Sequence, residues 1–325
     1  MSLLAQAAKD PGWGRLSRLV SRVPRLLRDV RSHPGWFLFF LLGRLLPARR
    51  LVAAVASWRS GPNVPTEGIC RGELVGPPVA TAVAALRQDG ICPDLRLSEA
   101  AVAELQTYAH SHPCYGGLDW RTRFSFAEQA ETERRTGQAL LVGHFPDTDR
   151  TCPVVARLID HPWLHAVASG YFGAPATILD VRLWWSFASA SPSRAALKLA
   201  AQDSFHFDLT DWKQLKFFFY LTDVDVRSGP HRFVLGSHTR RPLAHQVSPF
   251  SARMDAQILA TYGAEAVQTI TGPAGFGFAE DPFGYHTGAT VQEGARLCLE
   301  ISFGITGMLR KREFGQARRN TSDRP

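Results

Sequence analysis

The sequence predicts an α+β protein, mainly β, in which a sheet-rich barrel or sandwich is flanked by helices and preceded by a helical extension. Helix-like periodicity dominates up to residue 171, and short apolar runs separated by Gly, Pro, Asp and Ser dominate from residue 177. Helices first and many short strands afterwards is the order of a sheet with helices packed outside it. The third observation is an asymmetry of charge. Residues 1–60 hold eleven Lys and Arg against two Asp, whereas the remaining 265 residues carry 26 basic and 27 acidic groups. The net charge of +8 therefore belongs to the extension and not to the body. A nucleic-acid enzyme would carry such charge around its groove, so that class is disfavoured.

Within the extension, arginines and apolar residues recur at three- and four-residue spacing from Trp13 to Val30, an amphipathic helical pattern divided at Pro24. Trp36 to Leu46 is an apolar run interrupted by Arg44. It is too short to span a bilayer, which needs about 20 apolar residues. A basic amphipathic helix beside an aromatic one could rest on an anionic membrane surface through residues 13–46. The competing expectation is that both helices pack on the body with their arginines in solvent. Gly61 to Pro78 is rich in Gly and Pro and reads as a linker. A helix is expected over Val79 to Asp89 with Gly90 as its stop, and Ser98 caps another running to about Ala109. Residues 113–150 have no clear organisation. Arg157 to Tyr171 reads as one helix ending at Gly173 and Pro175. Strands are expected at Thr177 to Phe187, Lys216 to Thr222, Phe233 to Leu235, Gln268 to Ile270 and Leu297 to Ile305. The tail from 310 is polar, and no internal repeat is present.

Composition bounds the rest. With 45% hydrophobic and 20% charged residues, the chain is an ordinary globular protein rather than a disordered one. Its five cysteines, Cys70, Cys92, Cys114, Cys152 and Cys298, are odd in number and form no CxxC. They read as buried free thiols in a reducing cytosol, not as a disulfide framework or a zinc site. The expected location is cytoplasmic, or peripheral at the inner face of the membrane.

His206-Phe207-Asp208 opens the most informative stretch, with His286 and Arg296 far downstream. Chance alone supplies roughly 0.6 His-x-Asp triplets in a chain of this composition, so the triplet by itself proves little. Context adds weight. Residues i and i+2 of a strand share a face, so His206 and Asp208 can reach one metal from a strand end. Two imidazoles and a carboxylate make the facial triad that holds non-haem Fe(II) and leaves coordination positions open. Arg296 suits a dicarboxylate cosubstrate, because its planar fork binds a carboxylate bidentately. In 296–303, Arg, Cys, Glu and Ser alternate with Leu, Leu, Ile and Phe. That period of two turns Arg296 toward a polar interior and the apolar face outward. A buried arginine needs an anion, and Glu300 on the same face is the competing partner.

His231, His238 and His245 are rival histidines expected in structural roles. Trp212 could line a substrate pocket, although core packing is the ordinary use of such a ring. Asp223 and Asp225 are expected to stabilise turns. No catalytic acid, base or nucleophile is expected beyond the metal centre.

In their order, these motifs resemble the phytanoyl-CoA dioxygenase family. The resemblance rests on His206-Phe207-Asp208, Leu221-Thr222-Asp223-Val224-Asp225, Gly229-Pro230-His231, Gly236-Ser237-His238, His286-Thr287-Gly288 and Arg296. It covers roughly residues 79–305, with LRQDGICPDLRLSEAAVAELQ and HPWLHAVASGYFGAP matching the family's entry segment and the helix before its barrel. It implies a double-stranded β-helix, the jelly-roll barrel of cupin type, over 61–309, with 1–60 a basic helical extension and 310–325 a tail. It implies iron ligation by His206, Asp208 and His286, and binding of the distal carboxylate of 2-oxoglutarate by Arg296. The implied activity is an Fe(II)- and 2-oxoglutarate-dependent oxygenase using O2 to hydroxylate an unactivated C–H of a small-molecule or lipid- or carrier-linked metabolite, with release of succinate and CO2. Halogenases of this kind replace the carboxylate by a small residue; Asp208 is present, which favours hydroxylation or another oxidative outcome. Two other readings stay open: a non-catalytic barrel acting as a binding module, and a cupin metalloenzyme that does not use 2-oxoglutarate. No nucleic-acid partner is expected, and the sequence points to no particular protein partner.

Overall fold

The longest alternations of apolar and polar residues become the longest strands. The computed structural model describes residues 34–61, 72–117, 119, 121–189, 192–193, 196–197 and 200–307. The helix read from Trp13 to Val30, most of the Gly- and Pro-rich segment after residue 61 and the polar tail lie outside these residues. In chain order the strands are β1 (Leu74–Val75), β2 (Ile91–Leu97), β3 (Cys114–Gly116), β4 (Arg123–Phe124), β5 (Val142–Phe145) and β6 (Thr177–Phe187). They continue with β7 (Gln214–Tyr220), β8 (His231–Val234), β9 (Val267–Ile270), β10 (Phe276–Glu280), β11 (His286–Gly288) and β12 (Ala295–Gly304).

Nine of them form an antiparallel sheet in the order β1-β2-β10-β7-β12-β6-β5-β3-β4, and three form a second in the order β11-β8-β9. Phe218, Tyr220 and Phe278 of the large sheet share one buried cluster with Phe233 and Ile270 of the small one, which closes the double-stranded β-helix. Strand β12 lies at its centre, paired with β6 and β7. Its two faces differ as the alternation requires. Leu297, Leu299, Ile301 and Phe303 point outward into the main core, with Leu183 and Trp185 of β6 and Phe217 and Phe219 of β7. Arg296, Cys298, Glu300 and Ser302 occupy the inward face, where the strand register sets Glu300 opposite Arg182 on one side and Phe218 on the other.

Helices surround the sheets, those within residues 79–111 and 153–172 covering the outward face. They are α1 (Pro34–Leu42), α2 (Leu46–Ser60), α3 (Val79–Gln88), α4 (Glu99–Ser111), α5 (Gln129–Thr136), α6 (Pro153–Ile159), α7 (Pro162–Phe172) and α8 (Asp255–Tyr262). Helix α3 stops at Gly90, whose φ of 83° suits glycine and where a Cβ would stand 2.6 Å from His238 Nδ1. Ser98 caps α4, its hydroxyl accepting from Ala101 N at 3.2 Å. The single helix expected from Arg157 to Tyr171 is two, because Pro162 cannot continue a helix but starts one well. The stretch 113–150 forms three short strands, a 3-10 turn at Phe126–Glu128, α5 and the start of a one-turn helix at Thr148–Thr151, each too brief for periodicity to reveal. Strand β7 begins two residues earlier than expected and is buried throughout. Cys92, Cys114, Cys152 and Cys298 are free and buried, as expected of them. Among the described residues no helix is long and apolar enough to cross a membrane.

Phe303 is fully buried, meeting Phe217 at 5.7 Å and His165 at 5.0 Å between ring centroids. Phe303→Ala is expected to cost about 3–5 kcal/mol of stability, read from the urea midpoint. A loss under about 1 kcal/mol would mean that the helix layer collapses onto the gap.

Candidate metal centre

The segment after Ser204 runs extended beside the small sheet. His206 and His286 face each other across one antiparallel bridge, His206 N donating to His286 O at 2.9 Å and His286 N to His206 O at 2.8 Å. This reciprocal pair sets the two imidazoles side by side, with ring centroids 4.5 Å apart. Asp208, two residues on, turns to the same side, Oδ1 lying 4.0 Å from His286 Nε2. One donor atom from each of His206, Asp208 and His286 lies within 4.8 Å of the others. The structure thus brings together the three residues that the sequence singled out as ligands.

Neighbouring groups orient each donor. His286 Nδ1 lies 3.0 Å from the Gly284 carbonyl and His206 Nδ1 3.3 Å from that of Ser204. A carbonyl can only accept, so Nδ1 carries the proton and Nε2 keeps the lone pair a metal requires. Burial pulls the His286 imidazole down to about 4, which keeps it neutral. Asp208 Oδ2 accepts from Lys216 Nζ at 2.8 Å, and the same ammonium sits 3.2 Å from Glu300 Oε1. Burial pushes the Asp208 carboxyl up, but Lys216, His286 and His206 outweigh it and hold the group well below the usual carboxylate range. The segment is clamped from behind. Asp211 accepts from Trp212 N, from the hydroxyl and N–H of Thr306, and from Gly307 N, just past the end of β12.

Arg296 is 6% exposed and points inward, as the alternation predicts. Its Nη1 donates to the Gly229 carbonyl, its Nη2 donates to Ser186 Oγ at 3.2 Å, and its Nε is buried with no hydrogen-bond partner. Among the described residues no carboxylate lies within ion-pair distance of it. Glu300, the competing partner, is engaged by Lys216 instead. A buried guanidinium with neutral neighbours and a spare N–H is a site for an anion.

The rival histidines stay out of the donor set. His231 stacks on His286 at 5.6 Å, its Nε2 2.7 Å from Glu280 Oε2. His245 meets the Tyr285 hydroxyl at 3.3 Å, and His238 is buried beside Gly90. Trp212 is 5% exposed and packs edge-on against Phe39 of α1 at 5.2 Å. Asp225 accepts from Arg227 N at 2.8 Å and from Ser228 N at 2.9 Å, and Asp223 accepts from Ala274 N, so both stabilise turns.

Three groups escaped the sequence reading. Lys216 stands in the run QLKFFFY, where its charge among aromatics was itself the signal, since a buried ammonium needs carboxylates. Glu280 ends a short strand with no pattern around it. Arg182 alternates inward on β6 and meets Asp180 Oδ2 at 2.6 Å, half exposed.

No family model matches the chain, and no curated protein matches it. Solved structures do. EctD from S. alaskensis in its apoform superposes with a TM-score of 0.50 at 18% identity, covering 79% of this chain and 86% of that one. The epimerase SnoN in complex with Fe3+, alpha ketoglutarate and nogalamycin RO gives 0.47 at 17%, covering 69% and 82%. AviO1 from Streptomyces viridochromogenes Tue57 gives 0.45 at 17%, covering 69% and 93%. At such identities the likeness to EctD is one of fold.

Two measurements probe the interior. Lys216→Met leaves Asp208 and Glu300 without their cation and is expected to cost about 3–5 kcal/mol. Adding Glu300→Gln should restore part of that loss; simple additivity of the two would show that the pair is not coupled. Burial also raises the Glu280 carboxyl from 4.5 to about 7. The folded metal-free protein therefore keeps a proton that the unfolded chain releases, so this group's contribution to stability is full below pH 4.5 and is lost as pH rises through about 7. Glu280→Gln should flatten that fall in urea midpoints; an unchanged slope would assign it to another group.

Proposed function

We propose that the protein is an Fe(II)- and 2-oxoglutarate-dependent oxygenase in which His206, Asp208 and His286 hold the iron and Arg296 holds the distal carboxylate of 2-oxoglutarate. The observation that carries this is the convergence of two correctly tautomerised imidazoles and one carboxylate inside a double-stranded β-helix. The unpaired Nε of Arg296 supports the cosubstrate assignment and favours it over a cupin without 2-oxoglutarate. Bound there, iron and cosubstrate supply the oxidising chemistry, with O2 consumed, succinate and CO2 released, and an unactivated C–H of a small-molecule or lipid- or carrier-linked substrate hydroxylated.

The chain's own residues orient and shield. The carbonyls of Ser204 and Gly284 hold both rings with Nε2 toward the site. Lys216 occupies Oδ2 of Asp208, which leaves Oδ1 as the donor and disfavours chelation by both oxygens. Ser186 and Arg296 form a neutral and a charged donor side by side for a carboxylate. Phe218, Phe278 and Phe233 pack over the interior and limit water. The motif order supports reading the chain as similar to the phytanoyl-CoA dioxygenase family, with 61–309 as the catalytic unit.

Anaerobic addition of Fe(II) and then 2-oxoglutarate should produce a weak visible charge-transfer band that needs both. His206→Ala should abolish it together with stoichiometric iron binding. Arg296→Ala should leave iron binding within about threefold while weakening 2-oxoglutarate by about a hundredfold, as for loss of a bidentate charged contact. Iron binding without a band would point to a cupin that does not use 2-oxoglutarate. No iron binding at all would leave a binding module.

A further inference from the structure

Exposed apolar side chains in this protein are not scattered. Of the fourteen exposed large hydrophobic residues among those described, seven sit on α1 and α2. On α1, Phe37, Leu38, Phe40 and Leu41 are each about half exposed, at 50–52%, and Phe39 between them is buried against Trp212. At 100° per residue those four span one wide arc, and Phe39 points the other way. On α2, Leu51, Val55 and Trp58 recur at the i, i+4, i+7 spacing of a single stripe and are 65%, 42% and 82% exposed. The opposite side of α2 is fixed to the body. Arg49 is buried over the Phe283 ring at 3.8 Å, and Leu46 N donates to Gln246 Oε1 at 2.9 Å. Arg44 Nη1 donates to the Ser248 carbonyl at 3.2 Å, and the segment it binds adds Leu243, Val247 and Phe250, all exposed.

Charge selects the occupant of this face. Neither helix contains an acidic residue, and α2 exposes Arg50 and Arg59. The first 60 residues carry nine net positive charges, and the rest of the chain is nearly neutral. A two-fold contact with a second copy would set this basic segment against itself, so like charge would oppose like. A surface that is negative and apolar just beneath matches both features, as a leaflet of anionic lipid does. Among the described residues no helix is long and apolar enough to cross, so contact with such a leaflet would be along its surface.

We infer that α1 and α2 form an interfacial element that docks the protein on an anionic lipid surface. The Phe37–Leu41 arc and Trp58 enter the boundary of the acyl chains, and Arg50 and Arg59 meet the phosphates. Docking there sets the lipid one layer from the candidate ligands, since Phe39 packs on Trp212 and Arg44 lies over the Phe207 ring at 5.7 Å.

The test is flotation of the full-length protein with vesicles of phosphatidylcholine alone and of equal parts phosphatidylcholine and phosphatidylserine. The protein should float with the second kind only, and less as salt is raised. Leu51→Ser with Trp58→Ser removes two exposed side chains, should leave the thermal melt unchanged, and should reduce flotation by about tenfold or more. Absence of flotation with anionic vesicles, or equal flotation of the variant, overturns the proposal. So does a dimer in solution that the variant dissolves, which would assign the face to a second copy. The iron and 2-oxoglutarate band, recorded on the same samples, is independent: a variant that keeps the band but does not float separates lipid docking from the metal reading.

Discussion

A strand hydrogen-bonded along both edges and covered on both faces has no water for its polar side chains, and β12 is such a strand. Everything about the interior follows from how its inward residues are satisfied. Ser302 and Cys298 are small enough to need little. Glu300 and Arg296 are not, and although they share one face they lie four residues, about 13 Å, apart along the strand. They do not pair: Lys216 on the adjacent β7 engages Glu300. The guanidinium is left among neutral oxygens, and the site acquires a fixed positive centre.

That division of charge is carried through the whole cavity. Asp180 engages Arg182, Lys216 bridges Glu300 and Asp208, and Glu280 is kept near neutrality by burial and shares a hydrogen bond with His231. Asp180 has its partner on its own strand, whereas Glu300 and Glu280 find theirs on neighbouring strands. Asp208 has Oδ2 engaged by Lys216 and Oδ1 turned toward His286. A cation near Oδ1 thus finds a carboxylate already ionised and already turned, with little reorganisation left to do.

Much of this was legible in the sequence because strand periodicity is local. Thr177 to Phe187 begins and ends where its alternation does, and the inward turn of Arg296 follows from parity alone. The three candidate ligands could be named because two share a strand face and the third has a fixed downstream arginine. What failed to show has physical reasons. Strand β2 contains Pro93 and Asp94, which argue against a strand in isolation, yet its pairing with β10 carries it past them. Strand β11 is three residues long and owes its place to partners on both sides. Pro162 divides a segment whose apolar spacing reads as one continuous helix. The charge of Lys216 within an aromatic run was legible, but the carboxylates it needs were not. The partner of Glu300 could not be read at all, since it comes from a strand some 80 residues away whose neighbour in the sheet only topology defines.

The clamp of Asp211 on Thr306 and Gly307 bears on how this chain can change over time. It ties the segment carrying His206 and Asp208 to the far end of the strand that carries Arg296 at its near end. One rigid ten-residue rod thereby gauges the distance between both halves of the site. A single insertion within it would reverse the facing of every residue beyond and detach the clamp as well. Divergence is therefore channelled into the connections outside the rod, where lengths can drift and new specificities can accumulate while the central spacing stays frozen.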